Sequence, residues 1–149
     1  MTSQNTSPFF RRMLCKGIGV KKFIPGIAWF FLILIAICIP GEDLPKVDNW
    51  MIQIDYDKLI HTGLFAVLAY LFMYPIVKSA LPKKEKWHYF IKIALAAIVW
   101  GYTTEVIQKF FIAGRSYSLS DWIADSFGSI IALIFCKLRF LKTKKQNQA

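Results

Sequence analysis

The stretch LIHTGLFAVLAYLFMYPIV, residues 59–77, contains one histidine and no formally charged side chain. An α-helix rises about 1.5 Å per residue, so a run of this length covers the roughly 30 Å hydrocarbon layer of a bilayer. Comparable apolar runs lie at 23–39, 90–112 and 119–136. Because 56% of the 149 residues are hydrophobic, we predict an all-α membrane protein, a bundle of four transmembrane helices.

The charged residues alternate between the connections. Segments 1–22, 78–92 and 137–145 each carry five basic residues, which make up fifteen of the nineteen in the chain. The other two connections and the helix ends beside them hold eight of the nine acids. The positive-inside rule therefore predicts cytoplasmic termini and two outward-facing acidic connections. It divides the chain into a cytoplasmic segment 1–22, a membrane domain 23–137 and a basic cytoplasmic tail 138–149.

The net charge of +10 is thus explained by topology. Its expected partner is membrane lipid, because the cytoplasmic pieces are too short for a folded nucleic-acid-binding module. The cysteines at positions 15, 38 and 136 lie at different depths, so no disulfide is expected. The sequence makes no prediction about an oligomer.

Polar residues cluster at the outward ends of the second and third apolar runs. Asp57 is predicted to cap the start of the second helix, and His61 lies one turn deeper on the same face. In the third helix, a stripe that includes Gly101 begins with small residues and carries Glu105 and Gln108 toward its outward end. A carboxylate at this depth is expected to face the bundle interior, where it needs a partner such as His61 or an arginine.

The fourth helix begins with a capping pattern and continues with a second acid. Ser118 and Asp121 have the spacing of a capping box, and Asp125 lies one turn deeper. Small residues around Gly128 form a ridge, which predicts a tight contact between the third and fourth helices. In the turn before this helix, Arg115 is positioned to bridge carboxylates or to bind an external phosphate or carboxylate.

These residues form one predicted outward-facing polar site at the rim of an apolar bundle. Its members are Asp57, His61, Glu105, Gln108, Arg115, Asp121 and Asp125, with Gly101 and Gly128 assigned to helix packing. Each polar group also has a structural interpretation, as a helix cap or as part of a hydrogen-bonded network that fixes helix packing.

The ordered set Asp57-Lys58-x-x-His61, Glu105-x-x-Gln108, Arg115, Ser118-Leu119, Asp121 and Gly128 resembles the VanZ-like family of bacterial membrane proteins. The resemblance covers about residues 25–137. It implies a small multi-pass protein of the bacterial cytoplasmic membrane, in a family whose founding member is associated with reduced susceptibility to the glycopeptide teicoplanin. One position departs from the family, because Asp125 stands where the family usually shows Asn.

Three functions remain open. The first is a binding protein whose site holds a lipid-linked or amphiphilic envelope ligand, with Arg115 on its anionic group. The second is a membrane-embedded hydrolase or transferase acting on phospholipid or lipid-linked sugar, with His61 and Glu105 as catalytic candidates and Asp57 orienting His61. The third is a structural protein that acts through a partner.

A binding protein is the preferred prediction over an enzyme, because only the clustering of ionisable residues supports catalysis. The sequence has no HExxH, P-loop, GxSxG or paired-cysteine motif, so no metal and no cofactor are predicted. A divalent ion at Asp121, Asp125, Glu105 and His61 is a variant of the enzyme hypothesis.

Overall fold

A computed structural model describes residues 18–38, 50–112 and 114–141, with the backbone alone for 50–55. These residues form helices and turns: a 3-10 turn Val20–Phe23, α1 (Ile24–Ile37), α2 (Trp50–Val77), α3 (Lys83–Phe111), α4 (Leu119–Cys136) and a π turn Lys137–Leu141. Four helical segments are long and apolar enough to cross a membrane, which confirms the predicted four-helix membrane bundle. The predicted segments 1–22 and 138–149, and Cys15, lie largely or wholly outside the described residues.

Helix α2 begins earlier than the sequence predicted. The 28-residue helix starts at Trp50, so Asp57 lies two turns inside it and does not cap its start. The prediction of an Asp57 cap was therefore wrong. The physical reason is that residues 50–58, WMIQIDYDK, contain neither glycine nor proline, so nothing in this stretch breaks the helix.

A tight turn at 78–82 joins α2 to α3. The hydroxyl of Ser79 donates to the carbonyl of Ile76 at 2.6 Å, and Lys86 Nζ donates to the carbonyl of Val77 at 2.7 Å. These bonds satisfy carbonyls that the end of a helix leaves without an intrahelical partner. The hairpin places this turn, and the lysines at the start of α3, at the opposite end of the bundle from His61.

The backbones of α2 and α4 approach each other closely at Gly128. A Cβ atom built on Gly128 would fall inside contact distance of the Thr62 carbonyl oxygen and 3.0 Å from the backbone nitrogen of Ala66. The hydroxyl of Thr62 also donates to the carbonyl of Ala124 at 3.2 Å. The small-residue ridge was expected to face the third helix, and this was wrong at Gly128, because α4 packs into the space between α2 and α3 and turns Gly128 toward α2.

The predicted contact between α3 and α4 forms at a different glycine. A Cβ on Gly101 would lie 2.9 Å from the Cβ of Asp125, so only glycine allows this approach without a shift. Trp122 Nε1 donates to the carbonyl of Ile98 at 3.1 Å and ties the same two helices together. Gly101 therefore lets α3 come close enough to enclose Asp125.

Helix α1 packs along the outside of this three-helix core. Trp29 Nε1 donates to the carbonyl of Leu64 at 3.0 Å, and a Cβ on Gly26 would lie 3.1 Å from the ring of Phe72. Large apolar side chains such as Ile35 and Phe111 remain exposed on the bundle surface. In a membrane, lipid acyl chains cover such a surface.

Candidate functional site

Helices α2, α3 and α4 each contribute an ionisable side chain to one cluster at the end of the bundle. The Nδ1 atom of His61 lies 3.0 Å from Oδ1 of Asp125, which is a hydrogen-bonding distance. The Asp125 side chain is fully buried, whereas 13% of the His61 side chain is exposed. The imidazole of this pair therefore lies nearer the surface of the bundle, and the carboxylate lies behind it in the interior.

Asp57 lies on the other side of the imidazole ring. Its Oδ1 is 3.9 Å from Nε2 of His61, and 46% of its side chain is exposed. Asp57 and His61 are four residues apart on one helix, and this spacing predicts that Asp57 orients the imidazole ring of His61. In the structure, Asp125 makes the short contact and Asp57 is the more distant, more exposed partner.

Glu105 reaches across from α3 to the start of α4. Its Oε2 accepts a hydrogen bond of 3.1 Å from the backbone N–H of Ser118, and the Ser118 hydroxyl accepts one of 3.3 Å from the N–H of Asp121. In a capping box, the bond from the backbone N–H of the capping residue is accepted by a side chain three residues further along the same helix. Here the predicted Ser118 cap forms, but Glu105 of the neighbouring helix supplies the reciprocal carboxylate.

Five ionisable residues lie close enough to act on one ligand. One ligand atom from each of His61, Glu105 and Asp125 lies within 4.8 Å of the other two, and the same is true of Asp57, His61 and Asp121. His61 belongs to both groups. The two groups form an inner, buried triad and an outer, half-buried triad.

The inner carboxylates are incompletely bonded. Glu105 and Asp125 are both 0% exposed, and among the described residues Oε1 of Glu105 and Oδ2 of Asp125 have no hydrogen-bond partner. Leaving a buried polar group unsatisfied costs about 1–3 kcal/mol, and more if the group is charged. A proton, a water molecule or a ligand can satisfy such atoms.

Gln108 lies on α3, and Arg115 lies in the turn that precedes α4. Gln108 is buried on α3, three residues beyond Glu105, as the predicted stripe required. The Nε atom of Arg115 is buried without a hydrogen-bond partner, and within the described ranges Arg115 forms no ion pair with a carboxylate. The predicted bridge from Arg115 to a carboxylate is therefore not formed within this part of the chain, and its other expected role, binding an external anion, stays a prediction.

Two contacts that hold the site together were not predicted from the sequence. Thr62 ties α2 to α4 beside His61, and the backbone N–H of Ser118 holds Glu105. A threonine next to a buried histidine in an apolar span is a weak signal for the first contact. Nothing in the sequence signals the second, because a backbone donor is present at every residue except proline.

The structure thus brings Asp57, His61, Glu105, Asp121 and Asp125 into one cluster, and it shows no hydrogen bond or ion pair of Gln108 or Arg115 with these side chains within the described ranges. No family model matches the chain, and neither a curated protein nor a solved structure is significantly similar to it.

Proposed function

We propose that this chain is a multi-pass protein of the bacterial cytoplasmic membrane that binds an amphiphilic envelope ligand at the cluster around His61. The ligand class is a lipid-linked precursor or a lipidated antibiotic, and binding alters susceptibility to glycopeptides of the teicoplanin type. The observation that carries the proposal is the buried pair of carboxylates, Glu105 and Asp125, behind a partly exposed His61; each has an oxygen without a hydrogen-bond partner in the part of the chain that the structure describes. The family resemblance of the sequence supports the same function.

The charge distribution supports an outward-facing site. The five basic residues of segment 78–92 lie at the end of the bundle that is opposite to the cluster. Basic connections stay on the cytoplasmic side of bacterial membranes. With both termini cytoplasmic, the cluster faces the outer leaflet, where envelope precursors and antibiotics are encountered.

The chemistry around the cluster suits a ligand with a charged head. Arg115 carries a guanidinium with a buried Nε that has no hydrogen-bond partner, and guanidinium binds phosphate or carboxylate through two parallel hydrogen bonds. The carboxylates of Asp57 and Asp121 accept hydrogen bonds from hydroxyl or amide groups of the same head. Every polar group of the ligand would then have a partner, as a buried polar contact requires.

An apolar groove supports the binding of a hydrocarbon tail. It encloses about 210 Å³ between α1, α2 and α3 and is lined by residues that include Phe30, Leu68, Phe72, Ala97 and Trp100. Ala97 belongs to the same buried stripe of α3 as Glu105 and lies eight residues, or roughly 12 Å, deeper. The groove therefore lies at a depth that the tail of a ligand would reach if its head were held at the cluster.

The His61–Asp125 hydrogen bond favours a second function, a membrane-embedded hydrolase or transferase. A carboxylate that holds one ring nitrogen fixes the orientation of the imidazole, and the other nitrogen then acts as a general base or acid. Glu105 stands on the opposite side of the triad as the acid counterpart. The bond from Ser118 to Glu105 favours the structural alternative, in which the cluster stabilises α4 and a partner protein performs the function.

The deciding experiment incubates purified protein in mild detergent with bacterial lipid extract and identifies retained lipids and new products by mass spectrometry. We expect one retained lipid per protein with the wild type, and none with Glu105→Gln or Arg115→Lys at normal protein accumulation. The matched controls, Glu85→Gln and Arg139→Lys, change the same groups at the opposite end of the bundle and should retain lipid.

Each other outcome has a distinct meaning. If the wild type forms new products and both Glu105→Gln and Arg115→Lys form none, the protein is an enzyme and not a binding protein. Failure of both rim variants to accumulate would favour the structural alternative. A wild type that retains no lipid and forms no product would contradict the proposed function.

A further inference from the structure

We propose that His61, Glu105 and Asp125 form a binding site for one divalent transition-metal ion of the zinc or manganese class. The three side chains come from three helices, and one ligand atom of each lies within 4.8 Å of the other two. Metal–ligand bonds of about 2.1 Å hold ligand atoms ~3.4 Å apart in a tetrahedron and up to ~4.2 Å apart across an octahedron. Small side-chain movements therefore close the triad around an ion.

The unpartnered oxygens point to a cation at this position. Glu105 and Asp125 are fully buried, and each has one oxygen without a hydrogen bond to any described residue. Two carboxylates in an apolar surrounding repel each other and lose their hydration, which is unfavourable unless one of them is protonated or an opposite charge lies between them. A divalent cation with two carboxylates and a neutral imidazole has a net charge of zero, so the ion removes both penalties.

The donor set selects the class of metal. One imidazole nitrogen with carboxylate oxygens suits zinc and manganese, whereas magnesium and calcium prefer oxygen donors alone. The Nδ1 atom of His61 faces the inner carboxylate, 3.0 Å from Asp125 Oδ1, and its Nε2 faces Asp57 at 3.9 Å. Metal-binding histidines commonly donate their second N–H to a carboxylate, and Asp57 is positioned for that role.

The ion also resolves a conflict within the proposed function. The rim carries four carboxylates, at Asp57, Glu105, Asp121 and Asp125, and these repel an anionic head group. Three protein ligands leave coordination positions free for an oxygen of a phosphate or carboxylate. A bound cation, together with Arg115, would convert the rim into an anion-binding site, and this consequence for ligand binding rests on the function proposed above.

The test measures ion binding without any lipid. Protein purified in detergent without a polyhistidine tag is treated with chelator and dialysed against Zn²⁺, Mn²⁺ or Mg²⁺, and bound metal is counted by plasma mass spectrometry. We expect one Zn²⁺ or Mn²⁺ ion per chain, little Mg²⁺, and affinity lower by at least roughly ten-fold in Glu105→Gln and Asp125→Asn. Glu85→Gln, at the opposite end of α3, should bind like the wild type.

A spectroscopic measurement on the wild type guards against misfolded variants. Co²⁺ added to the chelated protein should give visible absorption of a site with nitrogen and oxygen ligands, and Zn²⁺ should displace it. Wild type that binds no more Zn²⁺ or Mn²⁺ than Glu105→Gln, and gives no such absorption, would overturn the metal site. If that protein still retained lipid, the ion alone would be refuted, whereas metal binding without lipid retention would refute only the envelope ligand.

Discussion

Replacing Gly128 with alanine should separate α2 from α4 and weaken the bundle. The added Cβ would overlap the Thr62 carbonyl oxygen and lie 3.0 Å from the backbone nitrogen of Ala66. Both neighbours are backbone atoms, so no rotamer change relieves the contact and the helices themselves must move. We therefore expect Gly128→Ala to destabilise the protein even though alanine is the better helix former.

The magnitude follows from two opposing effects. Overpacking a tightly fitted interface costs about 1–3 kcal/mol, and the conformational advantage of alanine over glycine in a helix returns up to about 1 kcal/mol. Gly63→Ala is the matched control, because a Cβ on Gly63 meets nothing within 4 Å. The control therefore has only the favourable effect, and the two variants should differ by roughly 1–3 kcal/mol.

The assay is unfolding in mixed micelles as the mole fraction of sodium dodecyl sulfate rises, followed by far-ultraviolet circular dichroism. Gly128→Ala should unfold at a lower fraction than the wild type, and Gly63→Ala at an equal or higher one. Gly128→Ala should also disturb the geometry of the site, because His61 of α2 lies 3.0 Å from Asp125 of α4. Equal unfolding midpoints for the two glycine variants would refute the account of the α2–α4 contact.

Two further predictions test the start of α4 and the direction of the site. Ser118→Ala removes the hydroxyl that accepts a hydrogen bond from the N–H of Asp121, so it should lower the free energy of unfolding by about 1 kcal/mol. Alanine at the exposed Ser120 should lower it less. Equal losses for the two variants in the same micelle assay would contradict the capping role. In a cysteine-free background, single cysteines at positions 57 or 115 should react with a membrane-impermeant maleimide in intact cells, and one at position 80 only after permeabilisation; the reverse pattern would place the cluster in the cytoplasm.

Local patterns were enough to predict the architecture. Each span was recognised from its own composition and length, because the requirement for about 20 apolar residues is set by the bilayer and the helix rise. Four antiparallel spans then bring Asp57, Glu105 and Asp121 to the same end of the bundle. The membership of the site therefore followed from the order of residues along the chain.

Pairings between helices depended on the tertiary structure. Spacing along α2 favoured Asp57 as the partner of His61, but Asp125 is the closer partner, since Gly128 and Gly101 allow α4 to approach both neighbouring helices. Likewise, Glu105 holds the backbone of Ser118 because the end of α3 lies beside the start of α4. A sequence specifies which side chains reach a given depth through local helix geometry, whereas their partners depend on helix rotation and separation, which are set by packing contacts between residues far apart in the chain.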